Sequence, residues 1–170
     1  YAVAVDAHSG KQLRFHVAGG LLNGAVLPAG IGWLVAAAAR EALPAWPWIV
    51  AGVLLGMYLA DLVSGILHWA FDTWFDADVG FVRRMVLQVR EHHIYPQRIF
   101  DITFYHDAGT LSWIALLLTG PAMAAAMTGL VPRAAGFVMV ETAVVFSPLL
   151  VFMLVFHKCG HRPKNPAPVR

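Results

Sequence analysis

Charge and thiols are what this sequence has least of. Only 13% of its 170 residues are charged, against about 25% in soluble domains, while 59% are hydrophobic and mean hydropathy is +0.65. A chain with so little charge cannot cover a water-facing surface, so it reads as a membrane protein. Its single cysteine, Cys159, excludes an internal disulfide and any paired-thiol metal motif. No Walker loop, dinucleotide glycine fingerprint, nucleophile elbow or HExxH is present, which removes several common signatures of enzymatic chemistry. The net charge of +2 is scattered and without interleaved aromatics, so no nucleic-acid partner is expected.

What is abundant is uninterrupted apolar sequence. A span needs about 20 apolar residues, and four such stretches occur, over 17–39, 48–70, 110–131 and 136–156. Pro28 marks a kink in the first. That first run is too long for a signal peptide and lacks a small-residue cleavage site. Between spans two and three lies the longest polar segment, 71–109. Lys11, Arg14, Arg83, Arg84, Arg90, Arg98, Lys158, Arg162, Lys164 and Arg170 fall on one side of this arrangement, and only Arg40 and Arg133 on the other. The positive-inside rule then puts both termini and the long loop in the cytoplasm. All eight histidines land on that side, although the topology was read from Lys and Arg alone. The expected fold is an all-α integral membrane protein with four transmembrane helices and a cytoplasmic, histidine-rich metal-binding face. The tail RPKNPAPVR reads as a cytoplasmic connector.

Span two is unusual for the ionisable residues it carries. In ADLVSGILHWAFDTW, Asp61, His68 and Asp72 stand at i, i+7 and i+11, one face of a continuing helix, where two carboxylates can flank an imidazole. An ionisable residue at mid-span costs at least ~2.5–3.5 kcal/mol, so it faces protein or a wet cavity. Asp61 is then either a carboxylate pairing two helices or a support for a metal site. Gly65, one turn from both Asp61 and His68, leaves room for a partner helix.

In REHH, His92 and His93 point about 100° apart on a helix, so they serve two metals of one centre, or one ligates while the other supports it. Glu91 bridges metals or orients an imidazole; in a surface loop all three would be solvated charge. HKCGH sets His157 and His161 at i, i+4 where span four leaves the membrane, a spacing suited to a shared metal, with Cys159 off that face as a small packing residue. His8 and His16, near Lys11 and Arg14, read as interfacial. Imidazole-rich sites without thiolate suit iron, zinc, copper or nickel, and added carboxylates favour iron at an oxygen-activating site.

The ordered set ADLVSGILHWAFDTW, REHHIYP, YHD and HKCGH, within residues 58–161, resembles the Kua-type lipid desaturase domain family, that of plasmanylethanolamine desaturase and its bacterial relatives. The resemblance implies one lipid desaturase domain over 1–170, multi-pass, with a histidine-bound di-iron centre that uses O₂ and an external electron donor. It makes His68, His92, His93, His106, His157 and His161 the metal ligands, supported by Asp61, Asp72, Glu91 and Asp107. The family pattern continues with a further histidine cluster that these 170 residues do not contain, so the chain reads as C-terminally incomplete.

An oxidoreductase follows from the resemblance: an iron- and O₂-dependent desaturase converting an alkyl ether phospholipid, plasmanylethanolamine, to the vinyl ether plasmalogen. Its partners would be the membrane phospholipid and an electron-donor protein of cytochrome b5 or ferredoxin type, in a bacterial inner membrane. The bond oxidised lies beside the ether oxygen, close to the headgroup, so the metal belongs near the membrane–water boundary. The cytoplasmic ends of spans two and four put it there. Arg83, Arg84, Arg90 and Arg98 offer contacts to lipid phosphate or an acidic donor, or serve only as positive-inside anchors. Trp69, Phe71 and Trp74 fit an aromatic belt or a tail channel. Two other readings stay open: an acyl-chain desaturase or hydroxylase of the same family, and a non-catalytic haem- or metal-binding membrane protein with facing histidines on spans two and four.

Overall fold

A long apolar run can satisfy its backbone in lipid only by hydrogen-bonding to itself, which makes it a helix. The computed structural model describes residues 10–40, 44–78, 83–101 and 104–161, without the side chains of Lys11, Arg84, Arg98, Asp101, His106 and Asp107. These residues form α1 (Gly10–Arg40), α2 (Trp46–Thr73), α3 (Arg83–Ile94), a short 3-10 segment (Pro96–Asp101), α4 (Phe104–Met127) and α5 (Arg133–Gly160). No strand occurs among the described residues. α1, α2, α4 and α5 are long and apolar enough to cross a membrane, which gives the four expected spans.

Their bounds differ from the hydropathy reading in instructive ways. α2 runs on to Thr73, so Asp61, His68 and Asp72 do share one unbroken helix. α4 stops at Met127 instead of reaching 131. There Gly129 takes a left-handed φ of 77°, its N–H donates to the Ala126 carbonyl, and the Leu130 N–H donates to that of Ala125. That is a Schellman stop, which hydropathy does not register. Pro28 lies inside α1 without interrupting it. The polar segment 71–109 is no simple loop: it completes α2, forms α3 and the 3-10 segment, and begins α4.

α5 is the central helix. Val140 and Ala143 pack with Met123 and Ala126 of α4, while Phe146 and Leu150 pack with Ala60 of α2 and Ala115 of α4. Outward-facing Leu54, Leu117, Leu118 and Phe152 are exposed, a surface that suits lipid. α2 and α5 run side by side in constant register. Gly52 faces Glu141, Gly56 faces Val145 and His68 faces His157, each pair 89 residues apart. At the first two levels the helices touch through glycine: a Cβ on Gly56 would lie 2.8 Å from that of Val145, and one on Gly52 would strike the Glu141 carboxylate. Thr142 Oγ1 donates to the Gly52 carbonyl at 3.2 Å, and buried Ser147 donates to Asn23 of α1 at 2.6 Å. Such small residues and cross-helix hydrogen bonds are what hold helices together where lipid removes the hydrophobic drive.

Candidate metal centre

Three helices converge where α2 and α5 end. His68 stands one turn before Asp72 on α2, Nε2 to Oδ2 3.8 Å. α3 is seated against this end by Val86, fully buried against Phe71. Arg90 fastens the joint: its Nε donates to the Phe71 carbonyl at 3.3 Å and its Nη2 to that of Phe75 at 2.7 Å. A helix C-terminus leaves carbonyls unsatisfied, and here a guanidinium of the next helix covers them. Arg90 is therefore a clamp between helices rather than a free phosphate contact.

The clamp presents the next two residues but one, His92 and His93, to α2 and α5. His92 is buried, 5% exposed, and its Nδ1 lies 3.2 Å from the Gln88 carbonyl. A carbonyl only accepts, so Nδ1 carries the hydrogen and the neutral ring keeps its lone pair on Nε2. That Nε2 faces His157 Nε2 at 3.3 Å. Two nitrogens each about 2.0–2.1 Å from one cation, at a near-tetrahedral angle, stand at about this separation. Burial pushes the His92 imidazole below its ordinary range; the Gln88 carbonyl acts against this, and the imidazoles of His93, His68 and His161 add to the lowering. A ring kept neutral is a ring able to ligate.

His93 donates from Nε2 to Asp72 Oδ2 at 3.2 Å. Two triads emerge, His68/His92/His157 and His68/Asp72/His93, each with its ligating atoms within 4.8 Å of one another. His68 belongs to both, its ring 5.4 Å from His92, 5.2 Å from His93 and 5.5 Å from His157. His161 borders the first triad, 4.7 Å from His157 and 5.5 Å from His92 between ring centres. Nitrogen-rich donors with one carboxylate, His92 among them buried and held by a backbone hydrogen bond, fit a first-row transition metal.

Not every expected residue joins. Glu91 is half-buried on α3 and in neither triad. Asp61 lies two turns below His68 and borders a cavity instead. His106 and Asp107 fall in the first turn of α4, and their side chains lie outside the described residues, as does His8. His16 sits 3.4 Å from Thr110 Oγ1, beside the stacked pair Phe15–Trp113, so it helps join α1 to α4. Cys159 is exposed and free. Gln88 and the Arg90 clamp went unnoticed in the sequence; Gln88, one turn before His92, was the legible one of the two.

Below the histidines a cavity of about 770 Å³ opens between α2, α3, α4 and α5, with His68, His92 and His157 in its wall. Trp69 and Phe71 line it, while Trp74 stays outside, packed on Trp69 at 4.4 Å.

A helical membrane protein with a histidine cluster at one end of its bundle is the class that fold and site define. Residues 57–170 match the lipid desaturase domain family, and the chain belongs to it. It is 36% identical over 72 residues to plasmanylethanolamine desaturase 1 of Mus musculus, covering 42% of this chain and 27% of that protein. It is 30% identical over 124 residues to plasmanylethanolamine desaturase of Myxococcus xanthus, covering 70% and 41%. It is 29% identical over 113 residues to the chloroplastic fatty acid desaturase 4 of Arabidopsis thaliana, covering 66% and 32%. The chain thus spans less than half the length of these curated relatives. No solved structure matches it.

Proposed function

We propose that the protein is an oxidoreductase, an iron- and O₂-dependent lipid desaturase that converts the alkyl ether of a plasmanylethanolamine to the vinyl ether of a plasmalogen. The observation that carries this reading is His68, shared by two ligand triads within a chain of the lipid desaturase family. His68, His92 and His157 would hold one iron, with His161 beside it, and Asp72 and His93 would contribute to a second. When bound, the iron pair supplies, with O₂ and an external donor's electrons, the oxidising power that acid–base side chains lack for an unactivated C–H bond. The chain's own residues do the rest. The Gln88 carbonyl fixes the His92 tautomer, Asp72 orients His93, and Arg90 holds both histidines in register with α2. The largely apolar cavity beside the histidines offers room for the lipid.

The four spans and the distribution of Lys and Arg support a site on the cytoplasmic face with both termini on that side, and the membrane on this reading is a bacterial inner membrane. α1, which precedes the matched residues, belongs to the same domain on this reading, since it contributes Asn23 and packs on α4 and α5. The electron donor would be of cytochrome b5 or ferredoxin type. Incubation of the protein with plasmanylethanolamine, O₂ and a reducing donor should yield a vinyl ether product by mass spectrometry. Metal-loaded, reduced protein that turns over no ether lipid sinks the reading.

The likeness to a chloroplastic fatty acid desaturase favours a second reading, in which the same site acts on an ordinary acyl chain. Product analysis with matched ether and ester lipids separates the two. Haem fits less well: His68 and His157, the facing pair on α2 and α5, have ring centres 5.5 Å apart, and His92 stands against both, its Nε2 3.3 Å from that of His157, where a planar macrocycle would have to lie.

A further inference from the structure

Gly65 is a glycine that helix contacts do not explain. In a helix interior glycine is about 0.8–1.0 kcal/mol less favourable than alanine. Gly52 and Gly56 offset that by letting α5 approach. Gly65 has no left-handed φ to accommodate, and a Cβ built on it meets no atom within 4 Å. The partner helix expected from the sequence is not there. In the α2–α5 register its counterpart is Leu154, yet the two helices part at this level around the cavity of about 770 Å³ that both residues line. Other helical glycines are equally open, such as Gly24 and Gly32, but they do not line this cavity.

The cavity has direction. His68, His92 and His157 stand at one end. Asp61 stands at the other, about 10 Å along α2 from His68 at 1.5 Å per residue. Between them lies Gly65, and Leu150, Met153 and Leu154 of α5 line the same cavity. Its volume suits a ligand of tens of atoms, within the ~300–1,000 Å³ usual for such sites. Much of its wall is apolar and comes from the spans α2, α4 and α5, with Met85, Val89 and Ile99 closing the histidine end and the Asp61 carboxylate, a poor neighbour for methylenes, at the other.

We propose that this cavity holds the hydrocarbon chain of the lipid, and that Gly65 determines how long a chain can pass from the histidines toward Asp61. The assignment rests on the desaturase reading for the identity of the lipid. A side chain at Gly65 would fill the middle of the channel and leave room only for short chains. One methylene too many in a hydrophobic pocket lowers turnover by roughly 10-fold or more.

The test uses the protein in its native membrane, with ether phospholipids of increasing alkyl length that carry a photoreactive diazirine at the chain end. Labelling sites are mapped by mass spectrometry, and turnover of the unmodified lipids is measured alongside. The native protein should be labelled within 61–71 and 150–157. Gly65→Leu should keep its iron yet lose long-chain labelling and long-chain turnover about tenfold relative to short chains; Gly65→Ala, a milder change, should shift both in the same direction. Labelling elsewhere, or equal loss at every chain length in both variants, overturns the proposal. If labelling shifts as expected while no lipid is oxidised by the native protein, the cavity assignment stands and the desaturase reading falls.

Discussion

α2 uses glycine in two opposite ways along one face-to-face pairing with α5. In its first half, Gly52 and Gly56 bring the helices together against Glu141, Thr142 and Val145. In its second, Gly65 meets nothing and the helices separate around a cavity that ends at the histidines. The same residue type is a seam in one place and a space in the other. The closed half fixes the register of 89 residues; the open half uses that register to set His68 beside His157. Rigidity at one end is thus what positions chemistry at the other.

The strongest way to break this comparison is at its far end. His68→Ala removes the ligand common to both triads and should lower product formation below detection without loss of membrane insertion. His161→Ala, which only borders one triad, should leave measurable turnover. Next in size, Gly56→Leu should clash with Val145 and the Thr142 carbonyl and destabilise the bundle by about 1–3 kcal/mol, read as lowered thermal stability in detergent. Gly65→Ala, by contrast, should leave stability unchanged or raise it by up to ~1 kcal/mol. Equal destabilisation at both positions would erase the distinction between seam and space. Arg90→Ala should weaken metal binding by about 10–100-fold, as loss of a ligand-orienting partner does, while helicity by circular dichroism holds. The smallest effect belongs to Ser147→Ala, which removes one cross-helix hydrogen bond worth about 0.6 kcal/mol and should shift stability without touching the site.

Hydropathy located four helices because lipid makes the backbone requirement so strict. It overran α4 because the stop there is conformational, set by Gly129, and not a change in polarity. The histidines were legible by residue type and spacing, and i, i+4 placed His157 beside His161 correctly. Asp61 was read with them because i+7 shares a face, but a shared face does not mean shared height: seven residues are about 10 Å of rise, enough to move a carboxylate out of reach of a metal at His68. Gly65 was taken as room for a helix, and the space is real but unfilled. Arg90 reads in the sequence as a phosphate or acidic-donor contact or a positive-inside anchor. Its role depends on where the carbonyls of α2 end, which only the docking of α3 reveals.

Metal content per chain is the most direct test of the proposed histidine-bound metal centre, because His68 belongs to both candidate triads. Protein purified as its host makes it should contain close to two irons, and His68→Ala should contain close to none while remaining folded in the membrane. About one zinc with no iron, or two irons retained in His68→Ala, would contradict it.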